Sequence, residues 1–329
     1  MPANLSPEYI KLDEKLRDAR EPQEKLTLMR EMLRVIPKHK GTEKMQADLK
    51  RRISKLEESA EKQARRGGRD LFHIAPEGIG QILLAGPPNS GKSSLVAWLT
   101  HAGPAIAPYP FTTQQPLPGM VSYEDVQIQL VDMPALAPEF TEAGLFNSYR
   151  ICDRILLVAD LGDPDPAASL RACLQLLEDH LIRVVRHAVT DAAGNVSTVE
   201  KPATIVANKC DLATPATRAA FETEFGARFR VHVCSAETGE GIDALPALLF
   251  AELRLVRIYT KKPGRKFTRD APFVLPAGAR VIDVARAIHK DIAENLKFVR
   301  LWGSGKHEGL SVGRDHVVAD GDILEFHAG

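Results

Sequence analysis

Nowhere in this sequence does an apolar run approach the ~20 residues that a membrane-spanning helix requires. The opening stretch, MPANLSPEYIKLDEKLRDAR, has no apolar core of the secretory-signal kind. The expectation is a cytoplasmic protein with no membrane partner. Cysteine is scarce. Cys152, Cys173, Cys210 and Cys234 stand apart, none in a CxxC pair and none beside a histidine cluster. That argues against a disulfide framework and a thiolate zinc site, and leaves buried or idle thiols. Net charge is missing too, since 43 Lys and Arg offset 43 Asp and Glu.

The balance hides an uneven distribution. Residues 1–70 hold 18 basic against 13 acidic side chains, a net of +5, and residues 254–329 hold 14 against 9, again +5. The remainder, 71–253, has 11 against 21, a net of −10. Two readings stand open: flanks that meet a polyanion such as RNA, or a solvated surface with an incidental imbalance.

What is present divides the chain into three. Residues 1–70 are rich in Lys, Arg, Glu, Leu and Met. Apolar residues recur at helical spacing at Leu26, Met29, Met32, Leu33 and Ile36, then at Met45, Leu49, Ile53 and Leu56, with the turn Pro37–Gly41 between. The spacing predicts a helical hairpin or helix-turn-helix arm ending in the basic linker Arg65–Arg69. Residues 71–253 alternate short apolar runs (82–85, 126–131, 155–159, 204–207, 231–233) with amphipathic stretches near 91–101, 166–182, 216–226 and 241–253. That order predicts an α/β domain, a mostly parallel sheet covered by helices on both faces. The polar stretch 191–201 reads as an excursion or hairpin before the next core strand. Residues 254–329 carry strand-like runs at 257–260, 272–275, 298–302 and 323–327 around one helical run, 281–292, and predict a small α+β domain.

The strongest signal follows the first apolar run. Gly86-Pro87-Pro88-Asn89-Ser90-Gly91-Lys92-Ser93, with Ser94 next, is G-x-x-x-x-G-K-S between a strand and a helix. Such a loop wraps backbone N–H groups around phosphates at the positive end of the helix. Lys92 is expected to reach the β/γ-phosphates, and Ser93 to supply a hydroxyl to Mg²⁺. Asp132, ending the run 126–131, is placed to hold the same ion. A Thr hydroxyl from Tyr109-Pro110-Phe111-Thr112-Thr113 can complete the metal shell when a γ-phosphate is present.

Asn208-Lys209-Cys210-Asp211 closes a later strand. A carboxylate at Asp211 accepts from the N1–H and 2-amino group of guanine, a donor pair that adenine lacks. The Lys209 stem can lie over the base, Cys210 fills a variable position, and Ser235-Ala236 is expected to offer backbone N–H to the guanine oxygen. Intact Asp211 argues against ATP as the nucleotide.

With these motifs the chain resembles the Obg-type GTPases, in the branch of the developmentally regulated GTP-binding proteins. Tyr109–Thr113 with Pro116 and Gly119 is similar to that family's switch I pattern, which makes Thr113 rather than Thr112 the Mg²⁺ ligand and, with Lys92, a catalytic residue. The segment Ile258–Gly264, then Asp291 through Trp302-Gly303-Ser304, then Val312–His316 with Asp320-Gly321-Asp322, is similar to the TGS domain, a ubiquitin-like α+β fold. The resemblance covers most of the chain. It implies a GTPase linked to translation or stress response that meets ribosomes or RNA, with room for a regulatory protein partner.

Two departures qualify it. Ala135 stands where switch II usually has glycine, and its methyl restricts the backbone. The segment 137–144 is short and lacks the family's I-E-G-A stretch. Leu136 follows, where Ras-like enzymes place a water-orienting Gln, so unaided hydrolysis is expected to be slow. Asn89 gives the loop the P-x-N-x-G-K form of GTPases that use K⁺ in place of an arginine finger, or else it only shapes the loop. The rival from another class is a GTP-binding scaffold with little hydrolysis. His39, between Lys38 and Lys40, makes a basic turn, either an RNA contact or a solvated surface. Trp98 and Trp302 are expected to pack, and His289 and His316 to be structural.

Overall fold

The computed structural model describes residues 29, 32, 51, 72–100, 115–137, 141–142, 144–187, 198–265, 267–268, 271–303 and 309–328. Residues 1–71 and 72–329 form separate compact units. In the first, Met29 and Met32 are helical and buried and Arg51 is helical and exposed. The rest of the expected helical arm, with the turn around His39, lies outside the described residues.

In the second unit a seven-stranded sheet comes first. Its strands are β1 (Gln81–Ala85), β2 (Leu117–Tyr123), β3 (Val126–Asp132), β4 (Arg154–Asp160), β5 (Ile182–Val185), β6 (Val199–Asn208) and β7 (Arg230–Val233). The order is β2-β3-β1-β4-β6-β5, with β7 on the second half of β6. Among the described strands of this sheet, only the β2–β3 pair is antiparallel. Helices α1 (Lys92–Thr100), α2 (Leu145–Ile151), α3 (Pro166–Asp179), α4 (Pro215–Gly226) and α5 (Leu245–Leu253) cover it.

The apolar runs read as they do because both faces of the central strands are buried. Along β1, Ile82 and Leu84 pack with α1 and α5, while Leu83 and Ala85 pack with α2 and α3. Caps define two helix starts. Asp165 accepts the Ala168 N–H ahead of Pro166, and Thr214 accepts the Thr217 N–H ahead of Pro215. At the base of β4, Arg154 is buried against Glu252 of α5 at 2.9 Å and donates to Thr204 on β6 at 3.0 Å, which ties that helix to the sheet.

A second, five-stranded sheet follows: β8 (Leu255–Thr260), β9 (Phe273–Pro276), β10 (Leu296–Trp302), β11 (Leu310–Val312) and β12 (Ile323–Ala328), in the order β11-β10-β12-β8-β9. Helices α6 (Val281–Ile288) and α7 (Lys290–Glu294) accompany it, and Val281, Val284 and Ala285 close a core with Val256, Ile258, Val299, Leu301 and Leu324. The single helix expected over 281–292 is broken at His289, whose backbone is extended and whose ring accepts the Asp291 N–H.

The two sheets meet through Arg257 of β8. Its guanidinium bonds Glu124 at 2.7 Å and Asp125 at 3.2 Å in the β2–β3 turn, and Asp320 at 2.8 Å. It also lies over the rings of Tyr123 and Phe250. Tyr259 adds a hydroxyl bond to Asp125.

Several elements differ from expectation. Strand β2, strand β5, helix α2 and strand β11 had no clear periodic signal. Val199-Glu200-Lys201, read as part of a polar excursion, opens β6 and pairs with β5; its alternation of half-buried and exposed residues is that of a strand at the surface. Trp98, expected to pack, is 43% exposed. Trp302 is half-buried under the Lys261 ammonium, 4.3 Å from its ring.

Candidate functional site

The parallel strands β1, β4, β6 and β7, with β3 beside them, bring their carboxyl ends to one edge of the sheet, where open α/β folds bind ligands. Four of the five carry residues singled out above: Gly86–Ser93 after β1, Asp132 at the end of β3, Asn208–Asp211 at the end of β6, and Ser235-Ala236 after β7.

The loop after β1 is held open from within. A Cβ on Gly86 would sit 2.3 Å from the Val158 carbonyl oxygen. Gly91 has φ +89°, and a Cβ there would lie 2.2 Å from Asn208 Nδ2. Both positions require glycine, the second because Asn208 fills the space and donates to the Ser90 carbonyl at 2.9 Å. Ser90 is buried, and its hydroxyl donates to the Pro87 carbonyl at 3.0 Å. Lys92 folds into the loop and donates from Nζ to the carbonyls of Gly86 at 3.0 Å and Pro87 at 2.8 Å. Burial pulls its ammonium down to about 8, against the opposing pull of Asp132. Pro88, Asn89, Ser93 and Ser94 face solvent, and Asn89 is left-handed at φ +61°.

Ser93 donates its hydroxyl to Asp132 Oδ2 at 2.5 Å. The other oxygen, Oδ1, is buried with no hydrogen-bond partner among the described residues. Burial raises the carboxyl's pKa, countered by the Ser93 bond and by Lys92. An orphaned carboxylate oxygen beside a serine hydroxyl is the donor set a hard cation takes, so these residues fit Mg²⁺. Thr113, the third expected ligand, lies outside the described residues, as do Tyr109 and Thr112. Beyond Asp132, Leu136 is buried and its N–H donates to the Gly86 carbonyl at 3.0 Å. A side chain in the core cannot orient water.

Around the base motif, Asn208 is a strut. Besides bonding Ser90, its Oδ1 accepts the Ala236 N–H at 3.0 Å. The Ser235 N–H donates to the Glu240 carbonyl at 2.9 Å and the Ala236 N–H to Asn208. The Ser235 hydroxyl donates to Asp211 Oδ1 at 2.5 Å. Asp211 is exposed. Cys210 is buried, as are the other three cysteines, all free.

One residue escaped the sequence reading. Asp160, the last residue of β4, accepts from Lys209 Nζ at 2.6 Å. Its only signal was an acidic residue ending an apolar run, the same cue that marked Asp132.

Loop, metal-ready pair and base motif on one sheet edge define a P-loop nucleotide-binding domain of the GTPase class. Residues 81–209 match the family model described as 50S ribosome-binding GTPase, and residues 256–328 match the TGS domain. An uncharacterized GTP-binding protein of Methanocaldococcus jannaschii is 28% identical, covering 92% of each chain. Developmentally-regulated G-protein 2 of Arabidopsis thaliana is 26% identical, covering 88% of this chain and 87% of its own. Developmentally-regulated GTP-binding protein 1 of Xenopus laevis is 27% identical, covering 78% and 84%. The chain is a GTP-binding protein with a GTPase domain followed by a TGS domain, similar over most of its length to the developmentally regulated GTP-binding proteins.

Proposed function

We propose that the chain hydrolyses GTP to GDP and phosphate with Mg²⁺, slowly when alone, and acts on ribosomes or other RNA in translation or stress response. The observation that carries hydrolysis is the Ser93–Asp132 pair with its orphaned oxygen, next to a lysine already inside the phosphate loop.

On this reading the loop amides and the α1 N-terminus take up phosphate charge. Lys92 exchanges two carbonyls for phosphate oxygens, which restores the proton affinity that burial weakens. Ser93, Asp132 and Thr113 would hold the metal, which would supply positive charge to offset that of the phosphates. Asp211 reads the guanine edge, braced by Ser235. Water attacks the γ-phosphate in line, with no Gln to orient it, since Leu136 is buried. Exposed, left-handed Asn89 supports K⁺ as the additional positive charge. The ribosome assignment draws on the +5/−10/+5 charge distribution and on the description of the matched GTPase family.

The buried Leu136 also favours a second reading, a scaffold that binds GTP and scarcely hydrolyses it. Single-turnover phosphate release from bound GTP, with Mg²⁺ and either KCl or NaCl at matched ionic strength, separates them. Faster release in K⁺ is expected. Equal rates in the two salts reject the K⁺ role, and no release in either supports the scaffold.

A further inference from the structure

Asp160 sits where β4 ends, its Cα in register with Asn208 across the parallel pair β4–β6. The Leu161 N–H donates to the Asn208 carbonyl at 2.9 Å, which joins the two strand ends. Both carboxylate oxygens of Asp160 are engaged: Oδ1 accepts the Gly162 N–H at 2.9 Å and Oδ2 accepts from Lys209 Nζ at 2.6 Å. The acceptor is thus fixed in place, and the pair is partly buried, 29% exposed at Lys209 and 16% at Asp160. Lys209 is itself left-handed, at φ +60° and ψ +40°, a conformation that is strained for a non-glycine residue. The reversal sends the Lys209 and Asp211 side chains to opposite sides of β6. Lys209 reaches the β4 side, and Asp211 reaches Ser235 after β7.

We propose that Asp160 is a positioning residue of the guanine pocket, holding the Lys209 ammonium aside so that the methylene stem covers the base. The proposal rests on the guanine reading of Asp211. A free lysine of this length samples many rotamers, and fixing it on binding costs entropy. Asp160 removes that cost beforehand and neutralises the charge, so the base meets an apolar surface. Stem packing is blind to the base edge. Asp160 therefore sets affinity for every purine nucleotide equally, whereas Asp211 sets the choice among them.

The test uses the full chain and fluorescent GDP, with GTP, ITP and ATP as competitors. Asp160→Asn is expected to weaken all four by a common factor of about tenfold. It should speed GDP release. Asp160→Glu should recover part of the loss, and Asp160→Asn made in a Lys209→Met background should add nothing. Wild-type affinities in Asp160→Asn, or losses that add to those of Lys209→Met, overturn the proposal. Should Asp160→Asn fold poorly, Asp160→Glu and Lys209→Met carry the comparison. A wild-type chain that binds ATP as tightly as GTP removes the guanine reading, and the proposal with it. A preserved GTP preference with no effect at Asp160 removes the proposal alone.

Discussion

Asn208 shows how one side chain joins motifs that are far apart in sequence. Its amide spans from Ser90 in the phosphate loop to Ala236 after β7. Gly91 is needed because that amide occupies the volume a Cβ would take. Asp211 differs in that one oxygen is engaged by Ser235 and the side chain faces solvent, ready for a ligand's donors. Replacing it by Asn puts a donor where guanine also donates. Asp211→Asn should narrow the preference for GTP over ATP by about tenfold or more, measured by competition against fluorescent GDP. An unchanged ratio would reject the base-site assignment. The Gly and Asp positions were legible because motif spacing encodes backbone geometry. The strut role of Asn208 and the ammonium clamp at Asp160 were not, since each depends on which strand ends lie side by side.

At the scale of elements, the β2–β3 hairpin and β8 decide how the two sheets are joined. Arg257 is 5% exposed and serves three carboxylates and two rings. Removing it strands acidic groups that are only partly buried. Arg257→Ala should cost on the order of 2–3 kcal/mol, between the ~0–1 of exposed pairs and the ~3–5 of buried ones. The check is the urea midpoint of the full chain. A shift within error of zero would mean the apolar contacts of Leu255 and Val274 alone hold the junction.

Strand β12 carries a pH-dependent contact. Glu325 is buried, and burial alone would raise its pKa. Bonds to Lys261 at 3.0 Å and His327 at 2.7 Å outweigh that and hold it below the ordinary glutamate value. A lowered carboxyl pKa stabilises the fold above the unfolded value and loses that contribution as pH falls through the folded one. The stability gap between the wild type and Glu325→Gln should therefore be constant near neutrality and shrink below about pH 4.3. Thermal unfolding of both proteins from pH 7 to pH 3 measures it. A gap that stayed constant to pH 3 would mean the carboxylate contributes nothing through its charge.

For the whole molecule, the charge distribution makes the sharpest claim. If the basic flanks contact RNA phosphates, counterions leave on binding, and affinity falls steeply with salt. Co-sedimentation of the intact chain with ribosomes, with a non-hydrolysable GTP analogue or GDP, should lose at least about tenfold in affinity between 50 and 200 mM salt. It should also differ between the nucleotides. Binding indifferent to salt would contradict contact through the flanks.

The sequence by itself determined the local chemistry: the phosphate loop between strand and helix, the acidic residue ending β3, the base motif ending β6, and the alternating layers of the first sheet. Those features are written in spacing and in the 2.0 and 3.6 periods of burial, which short segments carry alone. The tertiary structure decided the rest. It bonded the Ser235 and Ala236 amides to Glu240 and Asn208 and left Trp98 exposed. It also set Asp160 against Lys209 and docked Arg257 on a turn more than 130 residues earlier in the chain. Each of these is a contact between segments distant in sequence, made by strand order and register, and no window of residues holds that information.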